Sequence, residues 1–137
     1  MKNYLLDTSV VAGYLLNRVR AIELVSPLLE REKAATSILV YGEVVEYVKS
    51  FTAFRSYRES LEALLEQIDP LPLTYPILER YADIRRTLRP QHTEIGDIDT
   101  LIAATALEHD LTLLTIDTDY HRVPNLKYKL VNLKKAA

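Results

Sequence analysis

Short apolar runs alternate along this chain with longer stretches in which apolar residues recur at helical spacing. The apolar runs predict five buried β-strands: NYLLD, KAATSILV, DPLPLT, LTLLTI and KYKLVNL. The stretches between them predict six helices: TSVVAGYLLN, Ala21 to Glu32, YGEVVEYVKSF, FRSYRESLEALLEQI, PILERYADIRRTL and DIDTLIAATALEHD. This alternation predicts an α/β fold with a mostly parallel central sheet covered on both faces, in a single domain of residues 1–137.

Helix starts are marked by residues that satisfy or avoid free backbone N–H groups. Thr8 or Ser9 is expected to cap the first helix. Pro76 stands in the first turn of PILERYADIRRTL, where a missing N–H costs nothing. Asp97 is expected to cap DIDTLIAATALEHD, which is apolar on most faces and should be buried between layers.

Composition narrows the classes of function. The chain has no cysteine, which excludes disulfides and thiolate zinc sites and favours the cytoplasm. No apolar run has the length of a membrane span, and Asp7 interrupts the apolar N-terminal stretch in a way that signal peptides do not. A formal net charge of -2 gives no global cationic field, so RNA binding would need a local basic patch or bound cations.

Acidic residues follow the predicted strands at the sheet edge where parallel α/β proteins bind ligands. Asp7 follows the first strand, and Asp117 follows the fourth, LTLLTI. Glu43 lies early in the helix after the second strand, while Asp97 and Asp99 begin the buried helix. Converging carboxylates repel one another unless a cation balances them, and oxygen ligands suit Mg²⁺ or Mn²⁺. Such an ion can activate water and orient a phosphodiester, so a metal-dependent phosphodiesterase is one hypothesis.

Most of these acids also have a simpler interpretation. Glu43 alone would be a solvated helix residue, and Asp119 would be a turn residue or part of a short helical start. Asp7 is the exception, because a carboxylate between YLL and an apolar helix should be buried and then needs a partner.

Four motifs carry a family resemblance. LLDTS, ATSILVYGEV, DTLIAATA and LLTIDTDYHRVPNL resemble the acidic motifs of the PIN domain, and their order and spacing suit VapC-type toxins of toxin–antitoxin pairs. The resemblance spans Tyr4 to Leu126. It implies a three-layer α/β/α domain with endoribonuclease activity that depends on Mg²⁺ or Mn²⁺.

The resemblance also implies roles for individual acids. Asp7, Glu43, Asp99 and Asp117 match the four acidic positions in order. Asp7, Asp99 and Asp117 would hold the metal, and Glu43 would hold a second metal or its water. The implied reaction is in-line attack on an RNA phosphodiester by a metal-bound water, which leaves a 5′-phosphate and a 3′-hydroxyl.

Three neighbouring residues leave the ligand set open. Asp97 could share the role of Asp99, and Asp119 could replace Asp117. Ser9 could hydrogen-bond a metal ligand or its water, although it has an equally good explanation as a helix cap.

Basic residues near the acids are candidates for contact with RNA phosphates. Arg85, Arg86 and Arg89 precede the loop before the buried helix, and Arg122 follows Asp117. The same residues would be ordinary on an exposed helix face.

Aromatic residues crowd the helices of the first half: Tyr41, Tyr47, Phe51, Phe54 and Tyr57. Some must fill the core, and others could form a groove for a partner. The resemblance implies an antitoxin partner and a homodimer. Two alternatives remain open, namely a PIN nuclease of RNA maturation without a toxin role and a non-catalytic module that binds a partner through this surface.

Overall fold

The computed structural model describes residues 1–134, which form four strands and six α-helices. In chain order these are β1 (Tyr4–Leu6), α1 (Thr8–Leu15), α2 (Val19–Glu30), β2 (Ala34–Thr36), α3 (Ile38–Val48), α4 (Phe54–Ile68), α5 (Tyr75–Leu88), α6 (Asp97–Glu108), β3 (Thr112–Thr115) and β4 (Tyr128–Leu130). Two 3₁₀ helices, Arg89–Gln91 and Thr118–Arg122, lie in the connections that follow α5 and β3. Among residues 1–134 no helix has both the length and the apolar character of a membrane span.

The sheet has the strand order β2-β1-β3-β4, and every neighbouring pair is parallel. In its central register Leu6 of β1 is level with Thr36 of β2 and Leu114 of β3. The carboxyl ends of these three strands therefore meet at one edge. Residues that directly follow the strands are brought together there, although they lie far apart in sequence.

Helices cover both faces of the sheet. Leu5 and Leu6 of β1 point to opposite faces because side chains alternate along a strand, and both are fully buried. The same holds for the neighbouring pair Leu113 and Leu114 of β3. The prediction of a three-layer α/β/α fold with a parallel central sheet is confirmed.

The prediction of a third strand at DPLPLT is wrong. Its only pairing in residues 1–134 is an isolated parallel bridge between Leu71 and Ser37, in which the Leu71 N–H donates to Thr36. Pro70 and Pro72 flank that residue and have no N–H to donate, so a continuous ladder cannot form. The sheet consequently has four strands where five were predicted.

Two predicted boundaries are wrong because a polar side chain starts a helix earlier than expected. The predicted strand KAATSILV ends at Thr36, since the Ser37 hydroxyl accepts a hydrogen bond from the Leu39 N–H at 3.1 Å and begins α3. The N-cap of α1 is Asp7, and neither Thr8 nor Ser9 fills that position. Asp7 therefore belongs both to the helix start and to the candidate site.

Candidate metal centre

Asp7 lies at the centre of the sheet edge, between β1 and α1, and is 6% exposed. Its Oδ1 accepts the Thr8 N–H at 2.8 Å, and its Oδ2 accepts the Thr115 hydroxyl at 2.6 Å. The Thr115 hydroxyl in turn accepts the Asp117 N–H at 3.0 Å. This chain of hydrogen bonds connects the first predicted metal ligand to the backbone of another.

Burial raises the pKa of Asp7 from 3.8 to about 6. The hydrogen bonds from Thr115 and Thr8 oppose this rise, while the charges of Asp99 and Glu43 add to it. The environment without a cation therefore disfavours the Asp7 carboxylate, and a nearby positive charge would favour it.

Glu43 of α3 reaches the same edge from the neighbouring helix. The Thr8 hydroxyl donates a hydrogen bond to Glu43 Oε1. Thr8 also donates its N–H to Asp7, so this one residue at the start of α1 contacts the carboxylates at both positions. Glu43 is half-buried, so it is not the free surface residue that its sequence position alone would suggest.

Asp99 approaches the same edge from the first turn of α6. Its Oδ1 accepts a hydrogen bond from the Tyr120 phenol at 3.2 Å. Burial raises the pKa of Asp99, the Tyr120 hydrogen bond opposes this rise, and the charge of Asp117 adds to it. Asp99 is thus a half-buried acid close enough to other acids for their charges to act on it.

Asp97 faces away from this cluster, because residues two positions apart on a helix do not share a face. Its carboxylate accepts hydrogen bonds from Arg85 and from the Tyr81 phenol of α5, the latter at 3.1 Å. The prediction that Asp97 caps α6 is wrong, since Gly96 occupies the N-cap and no side chain caps that end. Asp97 instead connects α6 to α5 through a charge pair with Arg85.

Asp117 begins the 3₁₀ helix that follows β3. Its Oδ1 accepts the Asp119 N–H at 2.9 Å, which leaves Oδ2 free of any hydrogen bond within residues 1–134. Asp119 lies in that 3₁₀ helix, as one of its two interpretations predicted, and its carboxylate is 3.6 Å from the Arg122 guanidinium. Within residues 1–134, Asp119 thus has a cationic partner and Asp117 has none.

The acids of the cluster are balanced by no basic side chain in the described part of the chain. The donors to Asp7, Glu43 and Asp99 are hydroxyl or backbone N–H groups. The ion pairs of residues 1–134 involve other acids: Arg58–Glu62, Arg80–Glu108, Arg85–Asp97, Arg122–Asp119 and Lys127–Asp110. Two residues after Asp7, in α1, the Ser9 hydroxyl oxygen is buried and has no partner within the same residues. A buried polar atom needs a hydrogen bond, so this oxygen is expected to bind a water.

The carboxylates do not form a ready-made cage. Within residues 1–134, no three Asp, Glu, His or Cys side chains are close enough together to hold an ion. Mg²⁺ in proteins keeps several waters and takes one or two carboxylates directly, so a Mg²⁺ ion held by these acids would be bound to some of them through water. The donor set of hard oxygen atoms fits the same ion.

The candidate RNA-binding arginines differ in their surroundings. Arg85 is held by Asp97 and lies over the Tyr81 ring at 5.6 Å, and Arg122 contacts Asp119. Arg86 and Arg89 are exposed and form none of the ion pairs described above. These two therefore have the greater freedom to contact a phosphate.

The aromatic residues of α3 and α4 form part of the core and part of the surface. Phe51 packs edge-on against Tyr47 at 5.1 Å and against Tyr57 at 5.6 Å. Tyr47 is 45% exposed, whereas Phe51, Phe54 and Tyr57 are partly buried against the core. Most of the crowding is thus explained by packing between the two helices.

Sequence reasoning missed three residues that contact the acids: Thr8, Thr115 and Tyr120. Each donates a hydroxyl hydrogen bond to a different carboxylate. A signal was present for Thr115, which ends a buried strand two residues before Asp117, where an apolar residue would be ordinary. Tyr120 offered no comparable signal, because a buried tyrosine is common in a core.

Comparison with known proteins assigns this architecture to a class. The family model described as the PIN domain matches residues 4–126, and the chain belongs to that family. The predicted resemblance is thereby confirmed.

Within the family, similar proteins include VapC ribonucleases. Ribonuclease VapC1 of Haemophilus influenzae is 27% identical over 92% of this chain and 96% of its own length. Ribonuclease VapC19 of Mycobacterium tuberculosis is 32% identical over 81% of this chain and 86% of its own length. Among solved structures, VapBC-1 from nontypeable Haemophilus influenzae superposes with a TM-score of 0.77 and 26% identity, covering 93% of this chain and 96% of that one.

Proposed function

We propose that this protein is a divalent-metal-dependent endoribonuclease and the toxin of a VapBC-type toxin–antitoxin pair. One observation carries the catalytic part of the proposal: Asp7, Glu43, Asp99 and Asp117 converge at one sheet edge without a basic side chain among their hydrogen-bond partners in residues 1–134. Membership of the PIN family and similarity to VapC ribonucleases support the choice of RNA as substrate.

Asp7, Asp99 and Asp117 would hold Mg²⁺ or Mn²⁺, and Glu43 would assist. When bound, the ion supplies a water of lowered pKa and stabilises negative charge on the phosphodiester. The side chains of the protein must first be ionised, which Asp7 resists because burial raises its pKa to about 6. Thr115 opposes that rise by donating to Asp7, so it keeps the carboxylate available.

RNA would approach this edge through a local patch, since the whole chain carries a formal net charge of -2. Arg86 and Arg89 are the exposed candidates for phosphate contacts. Arg122 contributes less freely because Asp119 partly neutralises it. A cation at the acids would reduce the repulsion between the site and the RNA backbone.

An antitoxin is the proposed protein partner, and a homodimer is the proposed assembly. The similar solved structure, VapBC-1, contains a VapC-type chain in a VapBC assembly, which supports the antitoxin. The exposed face of Tyr47 beside Phe51 offers aromatic contact area for such a partner.

Cleavage of total cellular RNA by the purified protein tests the proposal. Fragments should appear with Mg²⁺ or Mn²⁺ and disappear with a chelator, and Asp99→Asn should reduce the rate at least about 100-fold because it removes a charged ligand of the ion. Asp83→Asn is the matched control, since Asp83 is an exposed acid of α5. Cleavage that persists in the chelator, or an active Asp99→Asn with its fold retained, would contradict the proposed chemistry. Absence of cleavage under all conditions would favour the non-catalytic module.

A further inference from the structure

Tyr120 is a fully buried residue whose one polar atom points at the candidate site. Its ring is 0% exposed, and its phenol donates to Asp99 Oδ1 at 3.2 Å. It lies in the 3₁₀ helix that Asp117 begins, three residues after that acid. A phenylalanine would fill the same volume, so the hydroxyl is not required for packing.

We propose that Tyr120 is a positioning residue, which orients the Asp99 carboxylate so that its remaining lone pairs face the metal. This inference rests on the proposed metal site. The phenol uses one lone-pair direction of Oδ1 and leaves Oδ2 available. Hydrogen bonds from outer partners to metal-ligating carboxylates have this orienting effect in general.

The Tyr120 phenol is an uncharged donor, which supports this role. An arginine at the same place would orient Asp99 and also neutralise it, as Arg85 does for Asp97 on the other face of α6. A phenol orients the carboxylate and leaves its negative charge to attract a cation. The same distinction applies to the Thr115 hydroxyl on Asp7, so two acids of the site receive neutral donors from one short segment.

The position of Tyr120 also joins two elements that carry ligands. Asp99 belongs to α6, whereas Asp117 and Tyr120 belong to the turn after β3. The buried ring fixes that turn in the core, and its hydroxyl connects the turn to α6. The spacing between the two predicted ligands therefore depends in part on this one hydrogen bond.

Tyr120→Phe tests the inference with a single-atom change. The dissociation constant of Mn²⁺, measured by titration calorimetry, should rise about 10-fold in this variant relative to the wild type. Tyr81→Phe is the matched control, because it removes a phenol–carboxylate hydrogen bond of 3.1 Å to Asp97 outside the proposed ligand set. Its Mn²⁺ dissociation constant should stay within about 2-fold of the wild-type value.

The dependence of cleavage on metal separates positioning from a general structural role. With total cellular RNA as substrate, Tyr120→Phe should cleave about 10-fold more slowly at limiting Mn²⁺ and should approach the wild-type rate at saturating Mn²⁺. A merely structural defect would lower the rate equally at every metal concentration and would leave the Mn²⁺ dissociation constant unchanged.

The outcomes distinguish this inference from the function on which it rests. If the wild type binds Mn²⁺ and Tyr120→Phe binds it equally well, the role of Tyr120 is overturned and the metal site stands. If the wild type binds Mn²⁺ but cleaves no RNA, the proposed function fails and the binding comparison still decides the role of Tyr120. If the wild type does not bind Mn²⁺, both proposals are overturned.

Discussion

The Asp7 side chain is buried behind the end of β1, where its charged form opposes folding. The pKa of Asp7 is about 6 in the folded protein, whereas its ordinary value is 3.8. Between these two pH values the folded protein keeps the Asp7 proton and the unfolded chain has released it. Stability contributed by the protonated form is therefore complete below about pH 4 and is lost as the pH rises to about 6. At neutral pH without metal, the residue destabilises the fold.

Asp7→Asn should consequently stabilise the metal-free protein at pH 7.5, by up to about 3 kcal/mol, since one pKa unit corresponds to about 1.4 kcal/mol. Urea unfolding between pH 4.5 and 7.5 in the presence of a chelator measures this effect. The variant should also lose the part of the pH dependence that the wild type shows between pH 4 and 6. Asp83→Asn should leave the curve unchanged, and a less stable Asp7→Asn at pH 7.5 would show that the carboxylate is stabilised by its hydrogen bonds more than burial destabilises it.

At the residue scale, the acids of the candidate site could be predicted from the sequence, but the residues that donate hydrogen bonds to them could not. Asp7 and Asp117 could be placed because they directly follow strands, whose carboxyl ends share an edge in a parallel sheet. The donors Thr8, Thr115 and Tyr120 could not be assigned, because the partner of a hydroxyl depends on distances between segments up to 108 positions apart. The ligand set itself stays a prediction.

At the scale of elements, strong helical periodicity was reliable and short apolar runs were not. The stretch FRSYRESLEALLEQI predicted α4 with its observed bounds, since its apolar residues recur at a helical period over 15 residues. DPLPLT contains apolar residues, but its two prolines have no N–H to donate to a strand ladder. The predicted strand KAATSILV ran past Ser37, which caps a helix. In both cases the hydrogen-bonding groups of the backbone and side chains, and not hydrophobicity, determined whether a strand forms.

Ser37→Ala should show the contribution of that cap. The Ser37 hydroxyl is buried and accepts the Leu39 N–H, so its removal leaves a backbone donor of α3 without that partner. We expect a loss of about 1 kcal/mol in the free energy of unfolding, measured with urea.

Ser60→Ala, at an exposed position of α4, is the control and should change stability by less than about 0.5 kcal/mol. If Ser37→Ala is as stable as this control, the serine does not determine where β2 ends.

At the scale of the whole molecule, the parallel order β2-β1-β3-β4 explains why acids that lie far apart in sequence meet at one edge of the sheet. All carboxyl ends, and the residues that follow them, lie on one side. The sequence predicted a parallel sheet, but the strand order depends on which helices cross over which strands, and local patterns do not encode that choice.

The double substitution Arg86→Gln/Arg89→Gln tests whether RNA binds to the protein near these two arginines. It should raise KM for RNA and leave kcat nearly unchanged, because in the proposed function these residues would contact phosphates away from the reacting atoms. The slope of log KM against log salt concentration should decrease by about one to two, in line with the loss of up to two phosphate contacts.

Lys2→Gln/Arg31→Gln is the matched control, since these residues precede β1 and β2 and so lie at the opposite edge of the sheet. If both double variants have the same KM and salt slope, RNA does not bind beside α5.

The most direct test of a metal site formed by these acids is thermal unfolding with and without Mn²⁺. An ion that binds the folded state alone increases the free energy of unfolding by mass action, by about 2.7 kcal/mol when its concentration is 100 times the dissociation constant, and so raises the unfolding midpoint. Wild type and Asp83→Asn should gain several degrees in 1 mM Mn²⁺, and Asp99→Asn should gain none. An unchanged wild-type midpoint, or an equal gain in Asp99→Asn, would contradict a metal centre at this edge of the sheet.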